Sequence, residues 1–118
     1  MTLTLLSVTY RLRVPAQDFR VHAETAAHNI ARAPGLVWKI WGLDPETGLG
    51  TSVYLFRDAA AARAFAAGPA ISTLRNGPAE EVSIRVAPVD AGLSAITGAA
   101  ATLAPAGDAR DTSLLKDR

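Results

Sequence analysis

The sequence contains no cysteine, which excludes disulfides, thiolate-ligated metals, Fe–S clusters and cysteine nucleophiles together. Histidine is nearly as scarce: two residues in 118 leave no ligand set for a common closed zinc site. No run approaches the ~18 uninterrupted apolar residues of a membrane-spanning helix. The opening Met1-Thr2-Leu3-Thr4-Leu5-Leu6 lacks the basic n-region and long apolar stretch of a secretory signal. Charge of one sign is also missing. Twelve basic against eleven acidic residues leave +1, with both signs mixed along the chain. Nucleic acid and anionic membranes call for a clustered basic face, so neither is an expected partner. The Gly-rich phosphate loops, the H-E-x-x-H metalloprotease signature and the G-x-S-x-G nucleophile elbow are absent as well. Aromatic residues make up only 6%, so the position of each one carries information.

What remains is a chain of single-domain length, 49% hydrophobic, that predicts one soluble cytoplasmic domain. About two dozen residues are alanine and ten of the twelve basic residues are arginine. This bias fits a GC-rich genome, and it blurs helical periodicity because alanine suits either face of a helix.

Residues 2–14 read as a strand: Leu6, Val8, Tyr10, Leu12 and Val14 alternate with Ser7, Thr9, Arg11 and Arg13. Pro15 ends it. A helix follows from Ala16 to Ala33, closed by Pro34-Gly35. Phe19, Ala23, Ala26 and Ile30 form its apolar stripe, His22 and Asn29 border that stripe, and His28 falls on the wet face. Leu36–Leu43 and Thr51–Arg57 make a hairpin about the turn-rich segment 44–50. Alternation puts Leu36, Trp38 and Ile40 on one face of its first strand and Val37, Lys39 and Trp41 on the other. Asp58 caps a second helix, Ala59–Ala67, ended by Gly68-Pro69. A helical turn over Ala70–Arg75 and a last strand over Glu80–Val89 complete the pattern.

The order is β-α-β-β-α-β, an α+β, ferredoxin-like arrangement: a four-stranded antiparallel sheet with helices on one face. The expected domain spans residues 1–98, with 99–118 a weakly structured tail. Leu3, Leu5, Val37, Trp41, Val53 and Leu55 are assigned to the uncovered face, where a second copy of the chain would shield them from water. The expectation is a homodimer.

The run Pro34-Gly35-Leu36-Val37-Trp38-Lys39-Ile40-Trp41 resembles the P-G-x-x-W-K-x-W stretch of the YdhR-type monooxygenase family. Tyr54-Leu55-Phe56-Arg57-Asp58 resembles that family's Y-L-F-x-D, and Ala64-Phe65 fits its second helix. Glu80-Glu81-Val82, Val89-Asp90, Leu93-Ser94 and Ile96 come in order at the final strand and its exit. The likeness covers residues 5 to 97 and is most specific over 34–58. It implies the dimeric α+β barrel fold of the antibiotic-biosynthesis monooxygenases. It also implies oxygenation of a small planar aromatic or polyketide-like compound, with O2 and no cofactor. The family has no histidine matching His22, so no family role passes to that residue.

Candidate residues emerge from chemistry. His22 is the one side chain that both titrates near neutrality and borders an apolar face, which suits a general base. Removing a phenolic or activated C–H proton gives an electron-rich anion that reacts with O2 directly. Asn29 sits on the same edge and can stabilise an oxyanion. Trp38, Tyr54 and Phe65 would shape a substrate pocket, and Tyr10 or Tyr54 would orient a substrate oxygen. Each has a plainer use. The two tryptophans can fill the core and the dimer interface, the tyrosine hydroxyls can reach the rim, and His22 can stand half in water. Arg11, Arg13 and Arg85 are assigned to pairing with Glu80 or Glu81 across subunits, and Lys39 to the interface or rim. A non-catalytic binding or stress-related module of the same fold is the second reading. Haem binding, known among relatives of this architecture, is the third, with only His22 placed to be an axial ligand.

Overall fold

A computed structural model of the chain describes residues 2–103. Strand β1 (Thr4–Leu12) leads to helix α1 (Ala16–Ile30), the hairpin β2 (Leu36–Leu43) and β3 (Leu49–Phe56), helices α2 (Ala59–Ala66) and α3 (Pro69–Asn76), and strand β4 (Ala79–Pro88). The four strands form one antiparallel sheet in the order β2-β3-β1-β4. This is the ferredoxin-like arrangement, with the first and third strands central and the hairpin's first strand at one edge. The chain divides into two compact units after Pro88. The second contains one short helix, α4 (Ala91–Ile96), started by Asp90, whose Oδ1 accepts from the Leu93 N–H at 2.9 Å. From residue 104 onward the tail expected over 99–118 lies outside the described residues.

Local chemistry sets the boundaries. The Pro15 carbonyl accepts from the N–H groups of Asp18 and Phe19 to begin α1. Asp58 Oδ1 accepts from the Ala61 N–H at 2.8 Å and starts α2, the N-cap expected of that residue. Gly35 takes φ +79 in the turn between α1 and β2, a conformation that favours glycine, and a Cβ there would lie 2.6 Å from that of Ala61.

Even-numbered residues of β1 and β3 point under the helices. Leu6, Val8, Tyr10, Tyr54 and Phe56 are buried there, joined by Phe19 and Ile30 from α1, Ala62 from α2 and Ile71 from α3. Leu55 is equally buried but outside this cluster; it belongs to the opposite face.

The strand faces of β2 differ from simple alternation. Leu36 pairs with Phe56, but Trp38 pairs with Leu55, so β2 carries one extra residue at a β-bulge. Beyond it, Lys39 pairs with Tyr54 and Trp41 with Ser52, which places Lys39 and Trp41 under the helices. Trp38 and Ile40 share the outer face with Leu55 and Val53. Two expectations are thereby corrected: Trp41 leaves the outer face, and Trp38 leaves the helix side. A third correction concerns charge. Arg11 on β1 and Glu81 on β4 pair at 2.9 Å, and Arg13, just past the end of β1, and Glu80 at 3.6 Å, all within one chain, so these carboxylates are engaged within the subunit.

Candidate functional site

A cavity of about 1210 Å3 lies between the helix-side face of the sheet and helices α1, α2 and α3. It accounts for the weak burial of α1, where only Phe19 and Ile30 are fully packed. The middle of that helix borders open space instead, with Val21 66% exposed.

The floor is supplied by three strands. Tyr10 and Val8 come from β1, Ser52 and Tyr54 from β3, and Lys39 and Trp41 from β2. Tyr10 has a defined seat: it is paired with Gly50, and a Cβ on that glycine would fall 2.1 Å from the ring's Cζ. Only a residue without a side chain lets the phenol fold across β3. Phe19 supports the same ring at a centroid distance of 5.9 Å, and the Ser52 side chain hydrogen-bonds its hydroxyl. Tyr54 packs on Phe65 at 5.0 Å and on Phe56 at 6.1 Å, so its ring has little freedom. Burial pushes both phenols above their ordinary range; the charge that Tyr10 would carry once ionised adds to the rise at Tyr54, and the Ser52 hydrogen bond pulls Tyr10 partly back. Both remain protonated hydroxyls at neutral pH.

Lys39 is the unusual member. Its Nζ lies 3.2 Å from the centroid of the Trp41 ring and 4.6 Å from that of Tyr54. Among the described residues no carboxylate pairs with it. Two aromatic faces favour the ammonium form, but they replace water incompletely. Desolvation prevails and lowers the amine from 10.5 to about 7. A substantial fraction is therefore neutral amine at physiological pH, with a free lone pair inside an apolar chamber.

The residues singled out by sequence fall in different places. Tyr10, Tyr54 and Phe65 line the cavity. His22 and Asn29 line it too, but from the exposed side of α1, and Asn29 Oδ1 accepts from Arg32 at 2.7 Å. Trp38 does not line it; the bulge pairs it with Leu55, and it borders a smaller space of about 250 Å3 between β2 and the end of α1, which Lys39 and Trp41 also line. Lys39, Trp41 and Ser52 were not among the expected site residues. The available signal was a lysine two places before a tryptophan in an otherwise apolar strand. Among the described residues no three His, Asp or Glu side chains converge as a metal site, and no helix is long and apolar enough to cross a membrane.

Comparison with solved structures extends the description. The structure of SnoaB, a cofactor-independent oxygenase from Streptomyces nogalater, matches with a TM-score of 0.58 at 20% identity, over 75% of this chain and 94% of that one. Protein SO0527 from Shewanella oneidensis matches with the same TM-score at 14% identity, over 75% and 91%. Rv0793 from Mycobacterium tuberculosis does so at 13% identity, over 75% and 97%. At these identities the likeness is one of fold. Among curated proteins, none matches. Residues 5–100 match the family described as "Putative mono-oxygenase ydhR", which takes in the whole sheet, all three cavity helices and the site just described; the chain belongs to this family.

Proposed function

We propose that the chain is a monooxygenase that acts on a small planar aromatic or polyketide-like compound with O2 and no cofactor. The observation that carries this reading is Lys39: an amine with no carboxylate partner among the described residues, neutral in large part near pH 7, between two aromatic rings on the floor of a large cavity. The fold shared with a cofactor-independent oxygenase supports it, as does the family. Oxygenation of a hydroquinone or anthrone-like compound first needs loss of a proton, because only the anion is electron-rich enough to reduce O2.

Lys39 takes that proton, and the resulting ammonium sits beside the new anion and stabilises it. The Tyr10 and Tyr54 hydroxyls donate hydrogen bonds to the substrate oxygens. Electron transfer from the anion to O2 and C–O bond formation give a peroxide anion, which takes the proton back from the Lys39 ammonium and becomes a hydroperoxide. At a CH2 centre the neutral amine then takes the remaining C–H proton as the O–O bond breaks, which leaves a carbonyl, and passes that proton to the departing hydroxide, so that water leaves. His22, exposed at the α1 side of the cavity, exchanges protons with solvent, and Asn29 borders the same entrance.

Oxygen uptake by the metal-stripped protein with hydroquinones, anthrones and catechols tests the reading. Uptake above each compound's autoxidation should rise with pH through about 7 and fall at least tenfold (about 1.4 kcal/mol) in Lys39→Met. His22→Ala should slow turnover less. Tight binding with no uptake across the panel would leave a non-catalytic binding module, and a Soret band on adding haemin would favour the haem reading. The active form is proposed to be a homodimer joined through the outer sheet face.

A further inference from the structure

Lys39 has a second capacity that proton transfer does not use. A general base needs only a lone pair, whereas the surroundings of this amine also suit a nucleophile. It is uncharged in large part, it is flanked by Trp41 and Tyr54, and no carboxylate among the described residues draws its lone pair into an ion pair. The chamber is wide enough for an aryl group beside it. Hydroxyl donors stand on the same floor: Ser52 pairs with Trp41 across β2 and β3, Tyr54 pairs with Lys39 itself, and Tyr10 hydrogen-bonds Ser52.

We propose that Lys39 is a carbonyl-capturing residue that forms an imine with an aromatic aldehyde or ketone entering the cavity. Nζ adds to the carbonyl carbon, one N–H proton passes to the carbonyl oxygen, and the carbinolamine loses water to leave a C=N bond. No oxidant or reductant takes part. The Ser52 and Tyr10 hydroxyls relay the remaining N–H proton to the departing oxygen and end as they began, and the aryl group stacks between the Trp41 and Phe65 sides of the chamber. This goes beyond the oxygenase reading and does not depend on it, since the capture requires no O2.

The groups that set its pH dependence are those lining the same chamber: Tyr10 and Tyr54 on the sheet, and Asp18 and His22 on α1. The phenols stay protonated across the neutral range, because burial raises both. Asp18 and His22 both lie on exposed positions of the helix. An amine titrating near 7 holds about a thousandfold more free base at pH 7 than an ordinary lysine. Capture therefore proceeds at neutral pH, where exposed amines react poorly.

The experiment is borohydride trapping of the whole protein with benzaldehyde and naphthaldehyde at pH 7 under argon. The only other lysine is Lys116, which makes the readout clean. Reduction of an imine on Lys39 blocks tryptic cleavage after it, so peptides 33–39 and 40–57 are replaced by one peptide spanning 33–57 with the mass of one added benzyl or naphthylmethyl group. The expected result is a single adduct at Lys39, forming faster than any at Lys116 by on the order of tenfold or more, and absent from Lys39→Met. A circular dichroism spectrum of that variant matching the parent shows that the loss reflects the amine and not misfolding. No adduct, or labelling spread evenly over Lys39, Lys116 and the N-terminal amine, overturns the proposal. An adduct under argon from a protein that consumes no O2 in air removes the oxygenase reading and leaves this one; uptake without an adduct does the reverse.

Discussion

At the scale of single residues the cavity floor is costly, and the cost is measurable. Lys39 in the unfolded chain keeps its proton up to about 10.5, whereas the folded chain releases it near 7. Between those values the unfolded state binds more protons, so the contribution of Lys39 to stability improves as pH rises across that window. Below pH 7 the penalty of burying the ammonium is fully present, and above about 10.5 it has gone. Lys39→Met should therefore raise the melting temperature by about 4 °C or more at pH 6, and the difference from the parent should shrink to nothing by pH 10.5. Thermal scans of both proteins at the two pH values check it; a difference independent of pH would mean that packing and not desolvation is the cause. Gly50 gives a second case. Any Cβ there overlaps the Tyr10 ring, and that ring is only 5% exposed, so it moves only by displacing neighbours. Gly50→Ala should cost ~1–3 kcal/mol in urea unfolding and should weaken binding of aromatic ligands by turning the phenol into the chamber.

At the scale of elements, the strands and helices were legible because each is built from local signals that agree. Asp58 followed by an alanine-rich run reads as a capped helix, and the structure has that cap. Asp58→Ala should lose ~1 kcal/mol, seen as a lower urea midpoint with an unchanged slope; no loss would show that α2 is held by tertiary packing alone. Alternation along β1 sorted Leu6, Val8 and Tyr10 from Arg11 and Arg13 correctly. The same rule failed on β2 for a physical reason. A side-chain period of two carries no memory of an inserted residue, and the bulge between Leu36 and Trp38 inverts the face of every later β2 residue relative to Leu36. Trp38 was thus expected in the pocket and Trp41 on the outside, whereas the site holds Trp41. Lys39 shares that face with Trp41, so alternation alone assigns it to the interface or rim, and the bulge brings it inside. Nothing in composition distinguishes a solvated lysine from a desolvated one; that depends on the wall that Tyr54, 15 residues away in sequence, provides through strand pairing. Tyr54 and Phe65 needed no such long-range information, since both sit on the apolar side of their own elements.

At the scale of the whole molecule, the bulge has a consequence for assembly. It turns Ile40 outward beside Val53, and Ile40 stands 57% exposed within one chain. Val53, Leu5 and the fully buried Leu55 belong to the same face, so the apolar character expected there is present although Trp41 is not part of it. A two-fold pairing through this face would bring like strands together and remove Ile40 from water, a gain of roughly 25 cal/mol for each Å2 of apolar area covered. The site lies on the other side of the sheet, so such a pairing would leave its lining unchanged. Ile40→Glu should then convert the protein from dimer to monomer in sedimentation velocity at about 10 µM, because a carboxylate facing its own copy meets both desolvation and like charge. The thermal stability of the monomer itself should change little, since an exposed residue contributes little to its own chain's fold. Aromatic-ligand binding should persist in the variant, as Ile40 is not among the residues that line the Lys39 chamber. A parent protein that sediments as a monomer at that concentration removes the dimer, and with it any role for the outer face in assembly, while leaving the chemistry assigned to Lys39 intact.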